Sequence, residues 1–514
     1  MTHASSSLGA SPAQPEQRLK NHFSIWSIIS LAFTTTNSWM AFSSSLGVPL
    51  AAGGGPVAIY GLVCAAIVLG TVGTGLAEMA SAFPTAGGQY HYIYMLWSPM
   101  YRNAGAYTAA WMTITAWSTA VTSSCIFIAN SAFSIATIYN PDFVAKAWQV
   151  YLVHVALSTS VTYIVARHPR GVGLLSMGFF WVTLSGFLAS VIAVLIRSPT
   201  KQPASFVFSE FVASTGWSDG FSFFIGSATC LWAFAGLDGA THVSEEVPNP
   251  TRNVPIAIGC TIMAGVLTVI PWSLTIMFSI SDPSAIVVSS VPILEIYRQC
   301  LNSTIGTTVF MVYFMVVFYI ISLNCALFAS RLLWSLASDG GIPFSKYFSE
   351  TRDGNPERPA YIVYFLQILF GLLYIASTVA FNSLIGISIL ANNITFVAPQ
   401  AALVIRGRHH LRPGYFRLGK FGYVVNSLAT LFIAFFTVVL CFPVYVPVTS
   451  ITMNYTPVCL GLVVMLVVLF WWCGVRHTFK GPSILLEGQT GSEVTSQSPD
   501  NYDCVYSFKK QGSK

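Results

Sequence analysis

Charge is the scarcest property of this chain. Asp, Glu, Lys and Arg together make up 8% of its 514 residues, and the mean hydropathy is +0.66. Soluble domains carry about 25% charged residues, so a soluble fold is excluded. Alternating short apolar segments are also missing, which excludes a transmembrane barrel. No CxxC pair occurs among the ten cysteines, and most of them sit in apolar runs, where they read as small buried hydrophobes. There is no HExxH, no glycine-rich phosphate loop and no catalytic constellation. Nothing therefore points to an enzyme, a cofactor, a metal or ATP-driven work. Residues 1–23 are polar and Ser/Pro/Gln-rich with no apolar signal core, and 476–514 are polar as well. Both are expected to be disordered cytosolic tails.

What is abundant is length of apolar sequence. A membrane-spanning helix needs about 20 mostly apolar residues. The sequence supplies twelve such stretches: 24–52, 56–82, 103–131, 147–166, 172–196, 221–244, 254–280, 305–336, 360–380, 383–405, 424–442 and 456–475. The expectation is an all-α polytopic membrane protein with twelve transmembrane helices. Placing the N-terminus in the cytosol puts 20 of the 24 Lys and Arg residues in cytosolic segments, leaving Lys146, Arg197, Lys201 and Arg298 outside. That bias obeys the positive-inside rule and puts both termini in the cytosol. The net charge of +6 is thus explained by topology, and nucleic acid is not an expected partner. Two glycosylation sequons, at Asn302 and Asn454, fall in expected outside loops. The plasma membrane is the expected location, with a vacuolar or other internal membrane as the alternative.

Two of the twelve stretches look broken. The first holds Thr34-Thr35-Thr36-Asn37-Ser38 and Ser43-Ser44-Ser45 in its middle; the sixth holds Gly236-Leu237-Asp238-Gly239. Backbone freed by a break at membrane depth must be buried in protein or line a cavity. Breaks at matching places in two halves point to a transporter binding site. Residues 24–196 and 221–405 are halves of similar length, each of five spans and each opened by a broken one. Five is odd, so the second half enters from the opposite side, the geometry of a 5+5 inverted repeat. Residues 424–475 would add two further helices.

Three long motifs carry a family resemblance. Residues 54–92, "GGPVAIYGLVCAAIVLGTVGTGLAEMASAFPTAGGQYHY", resemble the second-span signature of the amino acid–polyamine–organocation transporters. Residues 232–258, "WAFAGLDGATHVSEEVPNPTRNVPIAI", are similar to their sixth-span motif, and 328–349 to the end of their eighth span. The nearest branch is the fungal amino acid/choline permeases, which include those for γ-aminobutyrate and choline. The resemblance implies alternating access around discontinuous helices 1 and 6, with an amino acid, γ-aminobutyrate, a polyamine or choline as solute. A sodium site in related folds would use paired hydroxyls on span 8, where Ser322 and Ser330 are not adjacent, which favours a proton over sodium as the coupling ion. Its rivals are transport of a specialised metabolite such as an alkaloid amine, and a nutrient receptor that no longer transports.

The candidate residues follow. Glu78 and Asp238 are the acids inside the apolar stretches, and ionisable groups at that depth are functional candidates. Asp238 is expected to carry the coupling proton, to pair with a substrate ammonium, or to cap the second half-helix. Asn37, Ser38, Met40 and Ala41 are expected at the wall of the site, Ser43 to Ser45 there or satisfying freed backbone. Trp111 and Phe234 are candidate aromatic contacts, Phe234 also as a gate, with Gly236 at the break and Asn324 facing the site or a neighbouring helix. Glu78 is expected to meet a cytosolic Arg, as a gate or a structural pair. Glu245, with Glu246 and Arg252, would close the inner mouth. His154 reads as a core histidine, and His409-His410 as a contact for lipid headgroups.

Overall fold

In the computed structural model, the structure describes residues 24–352, 355–376, 380–449, 452–479 and 481–482. The expected tail 1–23 lies outside the described residues, as does the expected tail 476–514 apart from 476–479 and 481–482, where Arg476–Thr478 is helical and Phe479 is buried. Within them the chain is helical, with no strand and one isolated bridge between Arg352 and Asn355. Eleven helices among the described residues are long and apolar enough to cross a membrane. They correspond to the second to the twelfth stretches above. The stretch expected as span 1 is not among them, because it is folded as two shorter pieces.

Those pieces are Ile25–Thr36 and Ser38–Ser45, separated by Asn37 in left-handed backbone geometry (φ 33°, ψ 59°). Asparagine tolerates this geometry better than other side chains with a Cβ. The three threonines before it have low helix propensity. Thr35 donates its hydroxyl back to the Leu31 carbonyl at 2.6 Å. In the second piece Ser43 donates to the Trp39 carbonyl at 2.6 Å and Ser44 to that of Ala41 at 2.7 Å. The serine run thus serves its own backbone. The helix then continues as Gly47–Ala82, which leaves helical geometry at Gly53 and Gly54, the corner between span 1 and span 2.

Span 6 breaks more completely. Its α-helix, Asp219–Cys230, tightens into a 3₁₀ turn over Leu231–Phe234. Ala235 is extended, Gly236 has φ +91°, and a second 3₁₀ segment runs Gly239–Glu246. A side chain at Gly236 would be strained by that φ and would meet the Trp117 ring at 3.3 Å.

Around this pair the long helices form the frame. Span 3 (Arg102–Tyr139) packs along span 8 (Thr304–Ser338) and against span 10 (Ala380–Ile405). Span 3 is rich in Ala, Ser and Thr, as helices must be to approach closely where lipid is as apolar as any side chain. The first piece of span 1 lies against span 5 (Pro169–Arg197) and span 7 (Pro250–Ser279). Span 5 and span 12 (Thr456–Phe470 and its continuation) keep apolar faces outward, with Trp181, Ile196, Met465 and Trp472 exposed. A short helix, Gln89–Leu96, folds back under spans 6 and 8 at the end of the molecule that carries Arg331, Arg406 and Arg408.

The start of span 2 presses against the short helix Ala204–Phe208. A Cβ on Gly55 would lie 2.4 Å from the Phe206 carbonyl oxygen and 2.9 Å from the Val207 backbone. Gly55→Ala is therefore expected to cost about 1–3 kcal/mol, as overpacking does. The check is a lowered thermal unfolding midpoint of the detergent-purified protein. Gly461→Ala, which meets nothing within 4 Å, should leave that midpoint in place.

Candidate functional site

The two breaks face one another across a cavity of about 30 Å³. Thr35, Thr36 and Ala41 line it from span 1, and Trp232, Ala235 and Gly236 from span 6. Span 3 adds Trp117, Ala120 and Ser124; span 8 adds Phe318, Ile321 and Cys325; span 10 adds Ser388 and Asn392. No charged side chain is among them. Four lining residues hold buried polar atoms without a protein partner: Thr36 Oγ1, Trp117 Nε1, Trp232 Nε1 and Asn392 Oδ1. A buried polar group left unpaired costs roughly 1–3 kcal/mol, so such a cluster marks where a guest or water is accommodated. The volume suits about one water.

Chain direction sets the depth of each group. Span 3 begins at the Arg-rich end, and span 8 finishes there. Trp117 therefore floors the cavity on the Arg-rich side, its ring backed by that of Phe328 at 5.0 Å between centroids, while Ser124 and Phe318 lie further from that end. Beneath that floor is Asp238, fully buried. It occupies the cap position of the second span-6 segment, but its carboxylate makes no capping bond. Instead Oδ2 accepts from Gln89 Nε2 at 2.6 Å and lies 3.2 Å from His242 Nε2, while Oδ1 has no partner. The other nitrogen of His242 lies 3.1 Å from the Ala86 carbonyl oxygen.

The Arg-rich end is closed by buried ion pairs. Arg331 Nε meets Glu246 at 2.5 Å, both side chains fully enclosed, and Arg331 Nη1 donates to Asn355 at 3.2 Å. Arg408 meets both oxygens of Glu78 at 2.6 Å. Asp339 accepts from Tyr90 at 2.9 Å and meets His91 Nε2 at 2.8 Å. Glu245 accepts the Ala86 N–H at 2.9 Å. The segment 84–92 is thus stitched to spans 6 and 8 by at least four carboxylate contacts. Tyr92, buried against this cluster, has its hydroxyl pushed well up by burial and then by the charge at Asp238.

The sequence candidates fall into two sets. Ala41 and Gly236 line the cavity. Asn37 and Ser38 sit at the span-1 break with buried, unpartnered polar atoms but are not cavity wall. Met40 is buried in the core. Phe234 packs on span 7 near Gly265, off the cavity. Trp111 is partly buried in the frame of span 3, one turn and more toward the Arg-rich end from Trp117. Asn324 accepts from Ser176 on span 5 at 2.9 Å. Glu78 has the arginine partner expected of it, in Arg408. Arg252 does not meet Glu245 or Glu246; it is exposed and lies over the Tyr415 ring at 5.5 Å. His154 is buried and donates toward the Gln367 carbonyl. Of the sequon residues, Asn302 is exposed, whereas the Asn454 amide donates to the Leu440 and Phe442 carbonyls.

Sequence reasoning missed His242, Ser388 and Asn392. Each stood in view as one half of an i, i+4 polar pair: Asp238 with His242, and Ser388 with Asn392.

The comparisons with known proteins fit this geometry. The amino acid permease family matches residues 23–468. The chain belongs to that family. A choline transporter of Saccharomyces cerevisiae is 31% identical over 97% of this chain and 88% of its own length. A swainsonine transporter of Arthroderma benhamiae is 29% identical over 88% of this chain and 90% of its own. An uncharacterised amino-acid permease of Schizosaccharomyces pombe is 28% identical over 92% and 89%. The chain is therefore a multi-pass membrane transporter rather than an enzyme.

Removing one half of an enclosed ion pair strands the other. Glu246→Gln is expected to destabilise by about 3–5 kcal/mol. Adding Arg331→Met should recover most of that loss. Thermal unfolding of the two variants in one detergent separates a buried pair from a solvated one, for which neither change would matter.

Proposed function

We propose that the chain is a proton-coupled permease for a small amine-bearing solute, and that the solute is a quaternary ammonium compound such as choline. One observation carries the choice of solute. The cavity between the broken segments is faced by Trp117, Trp232 and Phe318 and by no carboxylate. A primary amine binds best where an anion can share its proton. A quaternary ammonium has no proton to share and is recognised by aromatic faces. The 31% identity to a choline transporter supports the same reading.

Asp238 then takes the proton role rather than the substrate role, since it lies below the floor and not in the wall. Span 1 completes a set of twelve helices, and the halves 24–196 and 221–405 form an inverted repeat that rocks around the site. The Arg-rich end faces the cytosol, in line with the positive-inside bias, and the plasma membrane is the site of uptake. The small cavity is read as an occluded stage of that cycle, closed inward by the segment 84–92.

Cation–π contact is worth about 2 kcal/mol where water is excluded, and each 1.4 kcal/mol is tenfold. Trp117→Ala and Trp232→Ala are each expected to raise the KM for choline uptake about tenfold or more in a choline-permease-deficient yeast. Trp181→Ala, on the outer face of span 5, should change it less than about threefold. Choline uptake competed away by γ-aminobutyrate but not by betaine-like quaternary compounds would reverse the choice of solute.

A further inference from the structure

His242 supplies the argument. A carbonyl oxygen has no proton to give, so the ring donates its Nδ1–H to the Ala86 carbonyl at 3.1 Å. The remaining nitrogen, Nε2, faces Asp238 Oδ2 at 3.2 Å with both side chains fully buried. Two bare lone pairs do not meet at that distance away from water, so a hydrogen lies between them. It is either on nitrogen, as an imidazolium beside a carboxylate, or on oxygen, as a neutral imidazole beside a carboxylic acid. Both states hold one proton more than a separate ionised aspartate and neutral histidine. Turning the Gln89 amide over changes its role from donor to acceptor but makes Asp238 the donor, which again requires the extra proton. Asp238 Oδ1, buried and unpartnered, is better suited to a pair of zero net charge than to a bare carboxylate.

We propose that Asp238 and His242 together form the proton-binding site of the carrier, and that its occupancy latches the segment 86–89 onto span 6. This rests on the proton-coupled reading given above. Remove the proton and the ring cannot keep both bonds. With Nδ1–H held on Ala86, its bare Nε2 opposes Asp238; with Nε2–H turned to Asp238, the Ala86 carbonyl loses its donor. The first arrangement sets two buried lone pairs against each other inside span 6; the second avoids that and gives up the stitch from span 6 to Ala86, so deprotonation favours parting of the Arg-rich end. Trp117 couples this latch to the solute. Its ring stands edge-on to His242, centroids 5.9 Å apart, and the same side chain lines the cavity.

Most other titratable groups around the pair have partners; the buried Tyr92 hydroxyl, near Asp238, has none. On its own segment Glu245 accepts from Ala86, and Glu246 is paired with Arg331 of span 8. On the helix Gln89–Leu96, His91 is paired with Asp339 of span 8, and Tyr92 lies near Asp238. Cys325 of span 8 lies within electrostatic reach of Asp238, and Arg252 at the start of span 7 is turned outward onto Tyr415. From span 3, Trp117 brings no ionisable group.

The test uses the full chain in proteoliposomes with labelled choline. Counterflow without a gradient reads solute binding and passage. Accumulation under an imposed inward proton gradient, with a pH-sensitive dye for choline-induced proton entry, reads coupling. His242→Asn keeps a donor for Ala86 but cannot titrate. The ratio of gradient-driven accumulation to counterflow, which corrects for any loss of folded or solute-competent protein, is expected to fall more than about tenfold, and choline-induced proton entry with it. Asp238→Asn should do the same. Gradient-driven accumulation by His242→Asn at the wild-type level would overturn the proposal.

A second arm needs no solute. In infrared pH titration of the purified protein, the carboxyl band removed by Asp238→Asn should also shift in His242→Asn; its indifference to His242 would equally overturn the assignment. Wild-type counterflow with no response to the gradient would instead sink the coupled reading while leaving the permease standing, and an absent wild-type counterflow would sink the choice of choline. The infrared result stands apart from both.

Discussion

The obligation to satisfy backbone hydrogen bonds inside hydrocarbon shapes this molecule more than any single contact. A continuous helix meets that obligation by itself. A broken one cannot, and this chain breaks at Asn37 and again from Ala235 to Asp238. Each break is tolerated only because the other segment, the span-3 face around Trp117 and the span-8 residues Phe318, Ile321, Cys325 and Phe328 enclose it. The loose ends thereby become the walls of a shared space. The cavity, its unpartnered polar atoms and the 3₁₀ geometry of span 6 are consequences of that enclosure.

How much of this the sequence announced depended on the type of signal. The helical class was legible because charge is nearly absent from runs longer than a bilayer is thick. The two breaks were legible because β-branched, amide and glycine residues interrupt otherwise apolar runs. The span-1 break falls at Asn37, at the edge of the stretch 37–45 where it was expected, because asparagine can adopt the left-handed backbone and the serines after it stay helical by donating to their own carbonyls. The faces of the long helices were not legible. Span 8 is apolar on nearly every side, so no periodicity separates the wall of the cavity from the rest. That is why Phe318, Ile321 and Cys325 could not be picked out, and why Phe234, beside the break in sequence, turns to span 7 instead. The ion pairs were half legible: an acid inside a span asks for a partner, but only the fold brings Arg408 to Glu78 and Arg331 to Glu246.

Closure at the Arg-rich end is built differently from the cavity. There the carboxylates of Glu78, Glu245, Glu246 and Asp339 each have a partner, and the pieces they join come from distant parts of the chain. Enclosed pairs of this kind add little net stability over apolar packing, but a pair pulled half apart is costly. Such an end resists partial opening. In the proposed alternating-access cycle it would favour two arrangements, stitched or fully parted and hydrated, a bistability that suits a carrier closed at one end at a time.

Coupling a solute to a proton requires that each ligand alter the free energy of the other's site. In the proposed cycle the two sites are neighbours rather than one. A carboxylate in the wall would attract a cation directly, but a quaternary ammonium would then neutralise it and compete with the proton, which is exchange rather than co-transport. Placing the acid one layer below, paired with an imidazole and screened from the cavity by an indole, avoids that competition. The proton neutralises Asp238 from beneath, the cation rests on the opposite side of Trp117, and both favour the same closed arrangement of span 6. In that proposed cycle the position of a single aromatic ring between the two sites would decide whether proton and solute travel together or in opposite directions.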